Sequence, residues 1–140
     1  MQTLVAEGYD KVFWIIDMDV IVDQKKQLNT FLEYKANCPA NVVVIMNHPC
    51  LEYWLLCHFE YCNAPFRKCG EAGKRLEHYL TGYEKSEKFY KRPDNDIYKR
   101  LKGELDKARE RSKDKEFNPD SPFQGFSQMH KLFDELLPKI

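Results

Sequence analysis

The sequence predicts an α/β fold, a doubly wound parallel layer of few strands followed by a helical carboxyl half. Two β-branched and aromatic runs carry this, VFWIID at 12–17 and NVVVIMN at 41–47, with a stretch of helical periodicity between them. Strand, helix and strand over this length make a βαβ unit, hence parallel strands and a right-handed crossover. The third observation is the change after Pro49, where apolar residues recur at helical spacing along much of the remaining chain. A chain of 140 residues is long enough to enclose its own core. It is expected to form one domain over 1–140, with an α/β core at 1–60 and a helical extension at 61–140.

Residues 2–7 suit the last turns of a helix stopped by Gly8, and Tyr9, Asp10 and Lys11 form a polar link. VFWIID is apolar without alternation, the pattern of a strand covered on both faces. Leu28, Phe31 and Leu32 give a surface crossover helix over 24–36, ended by Cys38, Pro39 and Ala40. NVVVIMN forms the second buried strand. Pro49 fits the first position of a helix, and CLEYWLLCHFEY continues it with nearly all-round apolar character. GEAGKRLEHYL gives a second helix, weakened by two glycines. DNDIYKRLKGELDKARERSK gives a third, whose thin stripe of Ile97, Tyr98, Leu101 and Leu105 predicts an exposed element. A loop rich in Pro, Gly and Ser spans 117–126, and SQMHKLFDELL closes the chain as an amphipathic helix.

Composition narrows the function. Lys plus Arg and Asp plus Glu number 22 each, so bulk charge points to neither nucleic acid nor membrane. No apolar run approaches the about 18–20 residues of a membrane span, and no membrane partner is expected. Five cysteines is an odd count, which favours reduced thiols in a cytoplasmic protein over a secreted disulfide framework. GxxxxGK[ST], GxGxxG and GxSxG patterns are absent, so the P-loop, dinucleotide and serine-hydrolase classes lose their usual support.

The chemistry-bearing residues gather where the strands end. An ionised carboxylate in an apolar interior costs several kcal/mol (order of magnitude) unless paired, and VFWIID runs straight into Asp17 and Asp19. Two apart on an extended strand, they project to one side, at the carboxyl edge where open α/β sheets hold ligands. Mg²⁺ or Mn²⁺ takes such carboxylates and leaves positions for phosphate. The alternative is a solvated loop start, with Asp19 capping the next turn. Asn47, His48 and Glu52 follow the second strand and crowd the same edge; Glu52 also suits a helix amino terminus. Cys57, His58, Cys62 and Cys69 could be read as a zinc set, but they lack a CxxC pair, and Cys57 suits apolar packing. Lys91 and Arg92 stand in a basic and aromatic stretch, with Lys85, Lys88, Phe89, Tyr90, Lys99, Arg100 and Lys102, that could track a phosphate backbone. The acids among them fit a solvated helix face instead.

VFWIIDMD followed by NHPCLEYWLLCHFEY, then YKRPDNDIYKRL and FNP…MHKLFDELL, resembles the RloB family from about residue 9 to the end, in the same order. The resemblance implies a Toprim-like (Rossmann-like) fold, the metal-dependent catalytic fold of primases, topoisomerases and several nucleases. It also implies a setting in bacterial restriction-modification and phage defence. By that resemblance Asp17 and Asp19 are the D-x-D that holds Mg²⁺ or Mn²⁺ and, with Glu52, form the catalytic set. Asn47 and His130, together with Lys91 and Arg92 of the basic stretch, would serve substrate or phosphate, and the family's conserved helix carries over to Asn47, Glu52, Trp54 and His58. The family's first strand and catalytic Glu should precede the D-x-D by several tens of residues. Only MQTLVAEGYDK stands there, and Glu7 is too close to take that role. Its terminal motif falls on Asn118, Pro119 and His130, with DSPFQGFSQM inserted. The expected activity is a Mg²⁺-dependent phosphodiester-cleaving (nuclease-like) hydrolase with an incomplete catalytic set, so that this chain alone is expected to show little nuclease activity. The alternative is a non-catalytic interaction or nucleotide-binding module. Expected partners are nucleic acid, a defence-system protein, and a second copy paired through an exposed strand edge.

Overall fold

The computed structural model describes residues 10–81, 83 and 97–137. Its elements are β1 (Val12–Asp17), α1 (Asp19–Asp23), α2 (Lys25–Ala36), β2 (Val42–His48), α3 (Leu51–Cys57), α4 (Cys69–Leu76), α5 (Ile97–Lys102), α6 (Leu105–Ser112), β3 (Phe126–Ser127) and α7 (Met129–Leu136). The fold is α/β with a helical carboxyl half, as its sequence predicts.

β1 and β2 are parallel, in register from Val12 opposite Val42 to Asp17 opposite Asn47. β3 joins the far side of β2 antiparallel, with Ser127 opposite Asn47 and Phe126 opposite His48. The sheet is therefore mixed, in the order β1-β2-β3. β3 emerges from the end of the expected 117–126 loop. Two residues are too few to display the alternation by which a strand is recognised.

Alternate residues of the two long strands serve two layers, as the period of an extended chain requires. Trp14, Ile16, Val44 and Met46 pack with Leu28 and Phe31 of α2. Phe13, Val43 and Ile45 pack with Tyr53, Trp54 and Leu56 of α3 and with Met129 of α7. β2 is buried from Val44 to His48, whereas Ile15 of β1 is 44% exposed. Coverage on both faces thus holds for β2 and fails for β1, because β1 is the sheet edge among the described residues.

The helical half departs from expectation at two places. The third predicted helix is interrupted at Gly103 and Glu104, giving α5 and α6. Nor does α6 lie exposed: Ala108 is fully buried, and the Arg111 guanidinium donates to the Cys57 carbonyl at 2.8 Å. Arg109 bridges to Asp134 of α7 at 2.7 Å. A small residue, Ala108, lets the backbones approach, and a thin apolar stripe underestimates such contact. Near Pro49 the helix opens two residues later than predicted, at Leu51. No helix among the described residues is long and apolar enough to cross a membrane.

Candidate functional site

The site forms where β1 and β2 deliver their carboxyl ends. The Met18 N–H donates to the Asn47 carbonyl at 2.9 Å and the Asp19 N–H to the Pro49 carbonyl at 3.0 Å, so the two strand exits are stitched together. Asp17 is the last residue of β1 and Asp19 the first of α1. Strand alternation therefore does not govern Asp19, contrary to the expectation that both project from one extended segment; helical turn geometry sets its direction instead. Asp17 Oδ1 accepts the Leu51 N–H at 3.0 Å. Asp19 Oδ1 accepts the Val20 N–H at 2.9 Å, and its Oδ2 accepts the Cys69 N–H at 3.3 Å.

Glu52 shares this edge. It is 3% exposed, which a simple solvated helix-end charge would not require. The Tyr83 hydroxyl donates to its Oε1 at 2.9 Å. Its Oε2 lies 2.9 Å from Cys50 Sγ and 3.2 Å from Cys69 Sγ. Cys69 thus touches Asp19 through its backbone nitrogen and Glu52 through its sulfur.

Those two sulfurs are bonded to each other, across a sequence separation of 19 residues. The expectation of five reduced thiols is overturned for Cys50 and Cys69, while Cys38, Cys57 and Cys62 are free. The parity of a cysteine count says nothing about which side chains helix packing brings together. With this pair joined, reduced thiols no longer support a cytoplasmic setting.

Asn47 is fully buried; its Oδ1 accepts the Ser127 hydroxyl at 2.5 Å, and its Nδ2 has no hydrogen-bond partner among the described residues. It ties β2 to β3. His48 donates from Nε2 to the Phe66 carbonyl at 2.7 Å, which fixes the tautomer because a carbonyl only accepts. Its ring stacks on Phe126, and burial holds its pKa below the ordinary value.

The other predicted residues are His130, Lys91 and Arg92. His130 sits in α7, buried, with neither ring nitrogen hydrogen-bonded among the described residues. The charges acting on it include Glu116, Asp134, Lys131 and Lys113. Lys91 and Arg92, with Lys85, Lys88, Phe89 and Tyr90, lie outside the described residues. The Cys57, His58, Cys62 and Cys69 zinc set does not gather. Burial pushes the Cys57 thiol up to about 12, and His58 Nδ1 donates to the Trp54 carbonyl at 3.0 Å.

Two cations that the sequence analysis passed over, Arg67 and Lys68, border the site. With Asp19, Asp23, Cys69 and Gly70 they line a cavity of about 280 Å³. Arg67 stands over the Phe123 ring at 4.5 Å and lies 3.9 Å from Asp23 Oδ1. Glu71 Oε1 accepts the Arg67 and Lys68 N–H groups, each at 3.2 Å, and so shapes the entry to α4. A basic pair just before a helix start is a signal available in the sequence.

No curated protein and no solved structure matches this chain. The family model for RloB-like proteins matches residues 1–136. Nearly the whole chain, including all three strands and the residues at their ends, therefore follows one family's pattern, and the protein belongs to the RloB-like family.

Proposed function

We propose that this RloB-like chain is a Toprim-like, metal-dependent phosphodiester-cleaving domain, with Asp17 and Asp19 holding Mg²⁺ or Mn²⁺. The observation that carries the proposal is the position of Asp17 and Asp19 at the carboxyl edge of a parallel strand pair, with Asp19 in a cavity also lined by Asp23, Arg67 and Lys68. Carboxylates suit a hard cation, and guanidinium and ammonium groups suit phosphate oxygens. Hard oxygen donors suit such a cation. A carboxylate has about four lone-pair sites, so the two backbone bonds that Asp19 accepts are compatible with a bound ion. A divalent ion bound there neutralises phosphate charge and lowers the pKa of a water. Arg67 and Lys68 orient the substrate phosphate, and they supplement the phosphate-binding roles expected for Lys91, Arg92 and His130. Asn47 braces the β2 end, and Glu52 follows Leu51, whose N–H holds Asp17. The setting implied is bacterial defence, with nucleic acid as substrate.

One observation favours the second reading, a non-catalytic interaction or nucleotide-binding module. Both aspartates already accept backbone N–H groups, the task of a structural turn. Titration with Mn²⁺ separates the two. Wild type should give saturable heat that disappears in the Asp17→Asn plus Asp19→Asn variant, and identical heats from the two proteins would defeat the catalytic proposal.

The partner proposed is a second copy of the chain. β1 is the edge among the described residues, and unpaired edges template strand addition. Beside it Val12, Phe13, Trp14, Phe31 and Tyr34 line a groove of about 860 Å³. Light scattering at micromolar concentration should report a dimer or larger species, and Ile15→Lys should shift it to monomer. A monomeric wild type would refute the pairing.

A further inference from the structure

We infer that Cys50, Cys69 and Glu52 form a site for a thiophilic divalent cation such as Zn²⁺, open to metal when the two cysteines are reduced and closed when they are joined. This site adjoins the proposed Mg²⁺ pair, Asp17 and Asp19, but shares no ligand with it and does not rest on that reading.

One donor atom from each of the three side chains converges, all lying within 4.8 Å of one another. Cys50 and Glu52 are buried, and Cys69 is half-buried. Glu52 Oε2 makes close contact with both sulfurs. In the joined form those sulfurs carry no hydrogen, and reduction turns both into thiols beside the Glu52 carboxylate. Tyr83 holds the other carboxylate oxygen at 2.9 Å and so presets the Oε2 direction, as outer partners of metal ligands do.

The donor types select the metal. Two thiolates with one carboxylate suit zinc better than Mg²⁺ or Ca²⁺, which prefer oxygen throughout. Three protein ligands leave a fourth tetrahedral position open. Cys69 opens α4, an eight-residue helix, where a thiolate is favoured.

The chemistry balances without a cofactor. Two equivalents of a small thiol reduce the Cys50–Cys69 bond. They become a small-molecule disulfide, and Cys50 and Cys69 become thiols. Zn²⁺ then displaces the two thiol protons to solvent. Two sulfurs on one zinc, each at about 2.3 Å, stand about 3.8 Å apart at a tetrahedral angle, so the disulfide and the metal exclude each other.

The full chain, reduced with a phosphine and then freed of reductant, should bind about one equivalent of Zn²⁺. Co²⁺ in its place should give thiolate-to-metal charge-transfer absorption. The oxidised chain should bind none at this site. Cys50→Ser and Cys69→Ser should each weaken binding by about tenfold or more, while Cys38→Ser should bind as wild type does. Saturable Mn²⁺ binding by the oxidised chain, in which the zinc site is closed, separates this site from the proposed Mg²⁺ site. Because the serine variants remove a covalent link and could lose their fold, wild type supplies a second measure. Zn²⁺ should protect Cys50 and Cys69, but not Cys38, from iodoacetamide in the reduced protein. No charge-transfer band, or equal alkylation of all three cysteines with and without Zn²⁺, would overturn the inference.

Discussion

Replacing Gly125 with alanine is expected to lower the unfolding free energy by about 1–3 kcal/mol, the range for overpacking a filled core. A Cβ there would stand 2.5 Å and 2.8 Å from two ring carbons of Tyr53 and 3.1 Å from a ring carbon of Phe66. Both rings are buried, and Tyr53 is anchored at its far end. Its hydroxyl donates to the Cys62 carbonyl at 2.8 Å and accepts from Lys115 Nζ at 2.9 Å. Lys115 is 5% exposed, and burial lowers its pKa. Displacing the ring would disturb the polar contacts that keep a buried ammonium in place. Gly125 also leads directly into β3, so the strain falls on the strand that closes the sheet beside Asn47. Urea denaturation measures the loss, and Gly125→Val should exceed Gly125→Ala. An alanine variant within about 0.5 kcal/mol of wild type, the usual range for neutral surface changes, would show that the Tyr53 ring yields freely.

Acid should destabilise the fold well above the carboxylate range. His48, His58 and His130 are all buried, and desolvation lowers each pKa from its ordinary 6.5. Above that value the imidazoles are neutral whether the chain is folded or not, so they add no pH dependence. Below it the unfolded chain takes up protons that the folded one refuses. Stability therefore falls as pH drops through 6.5 towards the lowered folded values, by up to about 1.4 kcal/mol per pH unit for each histidine. His130→Phe should flatten the slope by one histidine's share, since neither ring nitrogen has a hydrogen-bond partner to lose among the described residues. Denaturation midpoints between about pH 7 and pH 5 test this, a window above ordinary carboxylate titration. A level profile there would mean that the rings admit protons in the folded state.

What the sequence determined by itself is the part written in local pattern. The two apolar runs announce β1 and β2, because burial repeats along an extended chain with period two or without interruption. Helical spacing announces α2 and α3, and the βαβ order dictates parallel pairing. Asp17 at the strand end and Glu52 in the first turn of α3 follow from those elements alone. Tertiary structure decided the rest, and in each case the partner is distant. Asn47 meets Ser127 from 80 residues away to admit β3. Cys50 meets Cys69 where α4 packs on α3, and Arg67 and Lys68 arrive beside Asp19 with the same helix. Asp19 itself leaves the strand because the chain turns into α1, stitched to Pro49 by a backbone hydrogen bond. Periodicity records whether a residue is buried, but not against what, and the chemistry at this strand edge depends on the second.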